Sequence, residues 1–157
     1  MTSRDDLHGI VHGVRSTLPP LAGVVQGAAL LEDTALRNMT YEKMIKVLRP
    51  KIDGSVHLDS LLSDIALDFF IFFSSTTMVL GNIGQANYTA ANAFMSTLAA
   101  QRRAKGLAAS VLNLGPVLGV GYVDRAVSSA GTELLRRRLY FLIGVGLSST
   151  ICRSRAC

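Results

Sequence analysis

Residues 69–92, FFIFFSSTTMVLGNIGQANYTAAN, constrain the fold more than any other stretch of the chain. An apolar run closes in a pair of serines and a glycine-containing loop follows. Tyr88 and Asn92 then stand four apart where a helix begins. In a helix that spacing puts the phenol and the carboxamide on one face, one turn apart. The loop from Ser75 to Tyr88 is long enough to bring the serine hydroxyl back over the same face. A hydroxyl, a phenol and an amide converging at the end of a buried strand suit the handling of a carbonyl. Taken singly they read differently: a Tyr at the start of an amphipathic helix is usually core or cap, and Ser-Ser at a strand end is usually turn chemistry.

The 157 residues make one domain at most, and 49% hydrophobic content with 6% aromatics and no Trp suits a globular α/β chain rather than disorder. The formal charge of +5 lies mostly in the last 25 residues, where five Arg face the single acid Glu133. The body is therefore near neutral, and without a basic stripe carrying interleaved aromatics no nucleic-acid partner is expected. Cys152 and Cys157 both fall in the last six residues and form neither a disulfide framework nor a metal set. His8 and His12 are four apart, but no second pair or nearby acid completes a ligand set, so no metal is expected. The opening MTSRDD has no hydrophobic leader. The run LYFLIGVGL at 139–147 is far short of the roughly 20 residues that span a bilayer. The expectation is a soluble, cytoplasmic chain with no membrane partner.

In order along the chain, residues 1–20 read as polar, closed by Leu18-Pro19-Pro20, where two prolines bar a helix and force an extended entry. The short apolar run at 22–29, with β-branched Val24 and Val25, predicts a buried parallel strand. Leu30 to Asp33 leave its carboxyl end, where open α/β sheets place their ligands. Thr40 predicts an N-cap, with Glu42 in the first turn, for a helix that Pro50 interrupts or kinks before it resumes to about Ser63. On the bare sequence Lys51, just past that proline, reads as a solvated helix lysine. Residues 67–73 predict a central strand. Residues 85–105 predict an amphipathic helix with Ala91, Met95, Leu98 and Ala99 on the Tyr88 face and Gln101, Arg102 and Arg103 solvated. Gly106 ends it as a C′ glycine. A third strand follows at 108–114, closed by Gly115-Pro116. Strand, helix, strand, helix, strand with right-handed crossovers predicts a parallel sheet sandwiched between helices.

With GxxGQxNYxxAN intact, the stretch resembles the ketoreductase domain of multidomain polyketide synthases, in particular the highly reducing fungal type, within the short-chain dehydrogenase/reductase superfamily. The likeness extends from about Leu18 to Val123, through GVVQGAALLEDTAL, RPKIDGSVHLDSLL, FFIFFSS and RRAKGLAASVLNLGPV to GVGYVDR. It implies a Rossmann-like three-layer α/β fold and matches Lys51, Ser75, Tyr88 and Asn92 to the family's catalytic positions. Lys51 stands upstream and Asn92 four after the Tyr, the exchange that polyketide ketoreductases display, which reverses the solvated reading of Lys51. The implied chemistry is hydride transfer from NADPH to the β-carbonyl of an acyl thioester on an acyl carrier protein, with other synthase domains as partners. Tyr88 would be the general acid. A free phenol ionises near ~10, so a nearby Lys51 ammonium would stabilise its anion. Ser75 would donate to the same carbonyl oxygen, and Asn92 would orient Lys51 or hold a water in the proton relay. Lys51, Tyr88, Gly115 and Pro116 would border the cofactor. Asp33, in Leu-Glu-Asp, falls where bacterial relatives carry Leu-Asp-Asp, which with the absence of Trp favours the D-hydroxy, B-type outcome.

Two departures shape the expectation. No TGxxGxxG turn occurs, and too few residues precede Ala22 for the first three strands of a dinucleotide-binding fold. The reading is therefore a partial domain, residues 1–123, with its N-terminal strands missing, that alone binds NADPH weakly or not at all. Residues 124–157 read as a divergent tail. A catalytically inactive structural remnant is the alternative, and a free-standing reductase of small ketones is a third, disfavoured by the exchanged Lys/Asn arrangement.

Overall fold

The computed structural model describes residues 3–117. The element order is α1 (Arg4–Thr17), β1 (Gly23–Gln26), a 3-10 turn (Leu36–Asn38), α2 (Tyr41–Leu61), β2 (Phe69–Ser75), α3 (Thr77–Leu80), α4 (Ala86–Ala104) and β3 (Ser110–Leu114). The first compact unit runs Met1–Asn113; the expected boundary at 123/124 and the divergent tail lie outside the described residues. No helix among the described residues is long and apolar enough to cross a membrane.

The three parallel strands stand in the order β1-β2-β3, with β2 central as the sequence predicts. Val24 of β1 faces Phe70 and Gln26 faces Phe72 in a parallel register. Side chains alternate along a strand, so Phe70 and Phe72 share one face of β2, both fully buried, with ring centroids 4.6 Å apart. On that face they meet Leu7 of α1, Leu58 of α2, and Met95, Leu98 and Ala99 of α4, which together form the core. The alternate residues Val25, Phe69 and Leu112 are exposed.

Local chemistry sets most element ends. The Thr40 hydroxyl accepts the Lys43 N–H at 3.3 Å and caps α2 as expected. Of the two expected effects of Pro50, interruption does not occur: α2 continues through it, and the missing N–H removes one helical hydrogen bond. β1 is shorter than expected because the Gln26 side chain turns inward and its Oε1 accepts the Ala28 N–H at 3.0 Å, ending the ladder in a local turn. β2 runs two residues later than expected, so both serines belong to the strand. Gly106, at φ 75°, ends α4 in the left-handed region that favours glycine.

Two expectations need correction. Residues 1–20 are not merely an extended polar entry: α1 occupies 14 of them. Ser3 caps it by accepting the Asp6 N–H, Asp5 and Asp6 sit in the first turn, and Arg15 in the last, complementing the helix dipole. The prolines act only beyond its end, at Leu18. Arg102 is likewise not solvated. It lies three and four residues after Ala99 and Leu98, on the core face of α4, and is 1% exposed. Its Nη1 donates to the Asp59 carboxylate of α2, its Nε to the Ala108 carbonyl at 3.1 Å, and its guanidinium stands 4.3 Å from the Phe70 ring centroid.

A buried guanidinium left without its carboxylate is a far larger loss than the pair is a gain. Asp59→Ala is expected to destabilise the fold by ~3 kcal/mol, and Asp59→Leu combined with Arg102→Met to recover most of that loss. Urea unfolding of the two variants checks this; a double variant no more stable than the single one refutes it.

Candidate functional site

Of the four predicted catalytic residues, Lys51 and Tyr88 meet directly where α2, β2 and the start of α4 come together. Lys51 lies midway along α2 on the same buried stripe as Val47, Ser55 and Leu58, at helical spacing. It is 2% exposed. Its ammonium donates to the Phe73 carbonyl of β2 at 2.9 Å and stands 5.2 Å from the centroid of the Tyr88 ring. Gln26 steadies this turn of α2 by donating to the Pro50 carbonyl at 3.0 Å, while the Ser55 hydroxyl donates to the Lys51 carbonyl. Without a carboxylate partner, desolvation dominates: burial lowers the Lys51 pKa from 10.5 to about 8.

Tyr88 is half-buried in the first turn of α4, and Asn92, one turn on, is fully buried. The Asn92 Nδ2 donates to the Tyr88 carbonyl at 2.8 Å within the helix, and its Oδ1 has no partner. An unmatched acceptor in a buried position is costly in a folded protein. The Lys51 ammonium thus bonds Phe73 rather than Asn92, and the Asn92 oxygen remains available to a donor.

Ser75 ends β2, two residues beyond the carbonyl that Lys51 holds. Its Oγ accepts the Thr77 N–H at 3.2 Å, the turn chemistry expected of a serine there. That contact uses an acceptor lone pair and leaves the hydroxyl proton to be donated elsewhere. Thr89 of α4 donates to the Thr77 carbonyl at 3.4 Å, tying the turn after Ser75 to the helix that carries Tyr88. Gly115 and Pro116 directly follow β3.

Asp33 faces the start of α4, where its two carboxylate oxygens each accept from the Gln85 Nε2 at 3.1 Å. Around it the loop after β1 is fastened to the loop before α4. The Thr34 N–H donates to the Gly84 carbonyl at 2.7 Å, and Gly84, at φ 79°, adopts the left-handed region that favours glycine. Lys46 pairs with Glu32 at 2.7 Å and holds that carboxyl below the usual carboxylate range. Gln85 and Asn87 belong to the GxxGQxNYxxAN motif and Glu32 to the Leu-Glu-Asp stretch, but none was assigned a role from the sequence, because their partners lie in distant segments.

A family model described as KR domain matches residues 1–119. The chain is 51% identical over 143 residues to the hybrid PKS-NRPS synthetase xenE of Xenoacremonium sinensis, covering 91% of this chain and 4% of that protein. It is 56% identical over 126 residues to the trichosetin synthetase PKS-NRPS1 of Gibberella fujikuroi, covering 80% of this chain and 3% of that protein. Among solved structures it superposes on the ketoreductase from the first module of phoslactomycin biosynthesis in Streptomyces sp. HK803 with a TM-score of 0.76 at 31% identity, covering 87% of this chain and 30% of that one. The ketoreductase domain from the bacillaene assembly line gives a TM-score of 0.78 at 30% identity, over 87% of this chain and 34% of that one. The chain thus spans a few per cent of the length of these curated relatives and about a third of the solved chains.

The buried ammonium predicts a pH dependence of stability. Because the folded-state pKa of Lys51 is depressed, the unfolded chain binds the extra proton between about 8 and 10.5, and folding stability rises with pH across that window. Lys51→Met removes the penalty at all pH values, so its stability advantage over the parent chain should shrink from pH 8 to 10.5. Urea unfolding at stepped pH measures this, and a pH-independent difference contradicts it.

Proposed function

This chain belongs to the KR domain family, the ketoreductase domains of polyketide synthases, and from that membership we propose that it reduces a β-ketoacyl thioester to the β-hydroxyacyl form. The substrate would be carried on an acyl carrier protein, the reductant would be NADPH, and the setting would be polyketide biosynthesis alongside other synthase domains. The observation that carries the reading is the Lys51 ammonium, buried over the Tyr88 ring at 5.2 Å and held to the strand that ends in Ser75. Such a triad of ammonium, phenol and hydroxyl serves one purpose well, the protonation of an oxygen that is gaining negative charge.

The residues present fit the nicotinamide end of a dinucleotide. Lys51 spends one N–H on Phe73, leaving donors for a ribose hydroxyl, and the unmatched Asn92 Oδ1 accepts a water or an ammonium N–H. When bound, the reduced nicotinamide supplies the hydride. Tyr88 then gives its phenolic proton to the carbonyl oxygen as it becomes an alkoxide, and Ser75 donates a hydrogen bond to the same oxygen. Both contacts strengthen as charge develops, which lowers the barrier rather than merely binding substrate. Lys51 stabilises the phenolate left behind, and a water on Asn92 relays a proton back to it. Asp33, fixed by Gln85 beside the start of α4, would control the face presented and favour the D-hydroxy product.

Titration of the full-length protein with NADPH tests the cofactor: saturable binding is expected, and its absence overturns the reading.

In the full-length protein, Tyr88→Phe is expected to lower kcat for reduction of a carrier-bound β-ketoacyl thioester by ~100-fold or more, and Ser75→Ala by ~100-fold, with KM little changed. Rates followed by NADPH absorbance check both; a Tyr88→Phe variant at parental kcat overturns the assignment. Because protonated Lys51 is the working form, kcat should also fall as pH passes about 8, and Lys51→Met should abolish that limb.

A further inference from the structure

We propose that Asn87 is a positioning residue that fixes the Tyr88 phenol over the Lys51 ammonium by binding three chain segments at once. The first N–H groups of a helix lack partners within it, and a side chain at the N-cap normally supplies one. In α4 the side chain of the N-cap residue Gln85 makes no such bond; its Nε2 donates to Asp33. The Tyr88 N–H is satisfied instead by the Asn87 Oδ1 at 2.8 Å.

The other end of the same amide reaches away from α4. Its Nδ2 donates to the Glu32 carbonyl at 3.1 Å, in the loop after β1, and to the Lys43 carbonyl at 3.4 Å, in the first turn of α2. Both donor hydrogens and the acceptor oxygen are thus engaged, and the side chain is 1% exposed. Lys43 lies two turns before Lys51 on one helix, and Tyr88 follows Asn87 on the other. Asn87 therefore bolts the start of α4 to the start of α2, the two helices that carry the phenol and the ammonium. Leu, Ala or Asp at this position cannot reproduce the set: the first two supply no polar atom, and a carboxylate accepts from Tyr88 but faces the Glu32 and Lys43 carbonyls with no proton to donate.

The proposal rests on the ketoreductase reading only in treating Tyr88 and Lys51 as a working pair. Its test is independent of turnover. A methylene beside an ammonium that sits over an aromatic ring carries a ring-current shift. In the full-length protein with 13C-labelled lysines, the Lys51 ε-methylene resonance should be displaced from those of the exposed lysines. Lys51→Met assigns it and Tyr88→Leu abolishes the displacement. Asn87→Ala should lose most of the displacement while the far-ultraviolet circular dichroism is kept. Asn87→Asp, equal in size, should do the same, and decides the question if Asn87→Ala does not fold. A folded variant whose Lys51 resonance stays where it is in the parent overturns the proposal. In the reduction assay both variants should lose ~10- to 100-fold in kcat with KM within about twofold, as misplacement of a reacting group does. Loss of the displacement in a protein with no reductase activity refutes the ketoreductase reading and leaves the positioning role standing. Reductase activity with an unmoved resonance does the reverse.

Discussion

A lysine ammonium bonded to a strand carbonyl in the interior is the contact on which the rest of this structure depends. Taking that charge out of water is expensive, and the Lys51–Phe73 hydrogen bond, with the Tyr88 ring beside it, is the compensation the fold provides. For Lys51 to reach the carbonyl, α2 must lie close against the sheet. Gly54 and Ser55, both buried next to it, keep that stripe of the helix narrow. Phe70 and Phe72 fill the space that α2 and α4 leave over the strand. Packing and chemistry are the same arrangement here.

The second constraint is the fastening of loops to helix ends. The loop after β1 holds the start of α4 through Glu32, Asp33 and Thr34, and α4 in turn holds the turn after Ser75 through Thr89. These contacts involve buried amides and backbone groups, which tolerate little displacement before a polar atom is left unmatched. A half-buried phenol on a first helical turn would otherwise sample several positions. Far from this cluster, Arg102 performs the same structural task with a charge, joining α4 to α2 through Asp59 and to the sheet through Phe70. The two helices are therefore pinned at both ends, by an amide near the site and by a guanidinium behind it.

Much of the architecture was legible in the sequence. Apolar periodicity located the three strands and the two long helices, and Thr40 and Gly106 marked helix ends through local chemistry alone. The helix at Arg4–Thr17 escaped although Leu7, Ile10, Val11 and Val14 stand at helical spacing, because the charged and polar residues around them read as a polar entry closed by Pro19 and Pro20. The site was legible as a set of residue types at a known spacing. The half-burial of Tyr88 and the unmatched oxygen of Asn92 were not.

What the sequence by itself determined is the order of the three strands and the two long helices, and the family, because these follow from local periodicity and from motifs a few residues long. What only the tertiary structure decided is which polar groups are buried and what matches them. Lys51 meets a carbonyl 22 residues away, Arg102 a carboxylate 43 away, and Asn87 a carbonyl 55 away. A polar side chain on an apolar stripe reads as solvated until its partner is known. That partner is supplied by a distant segment, and its identity is a property of the packed fold rather than of any stretch of sequence.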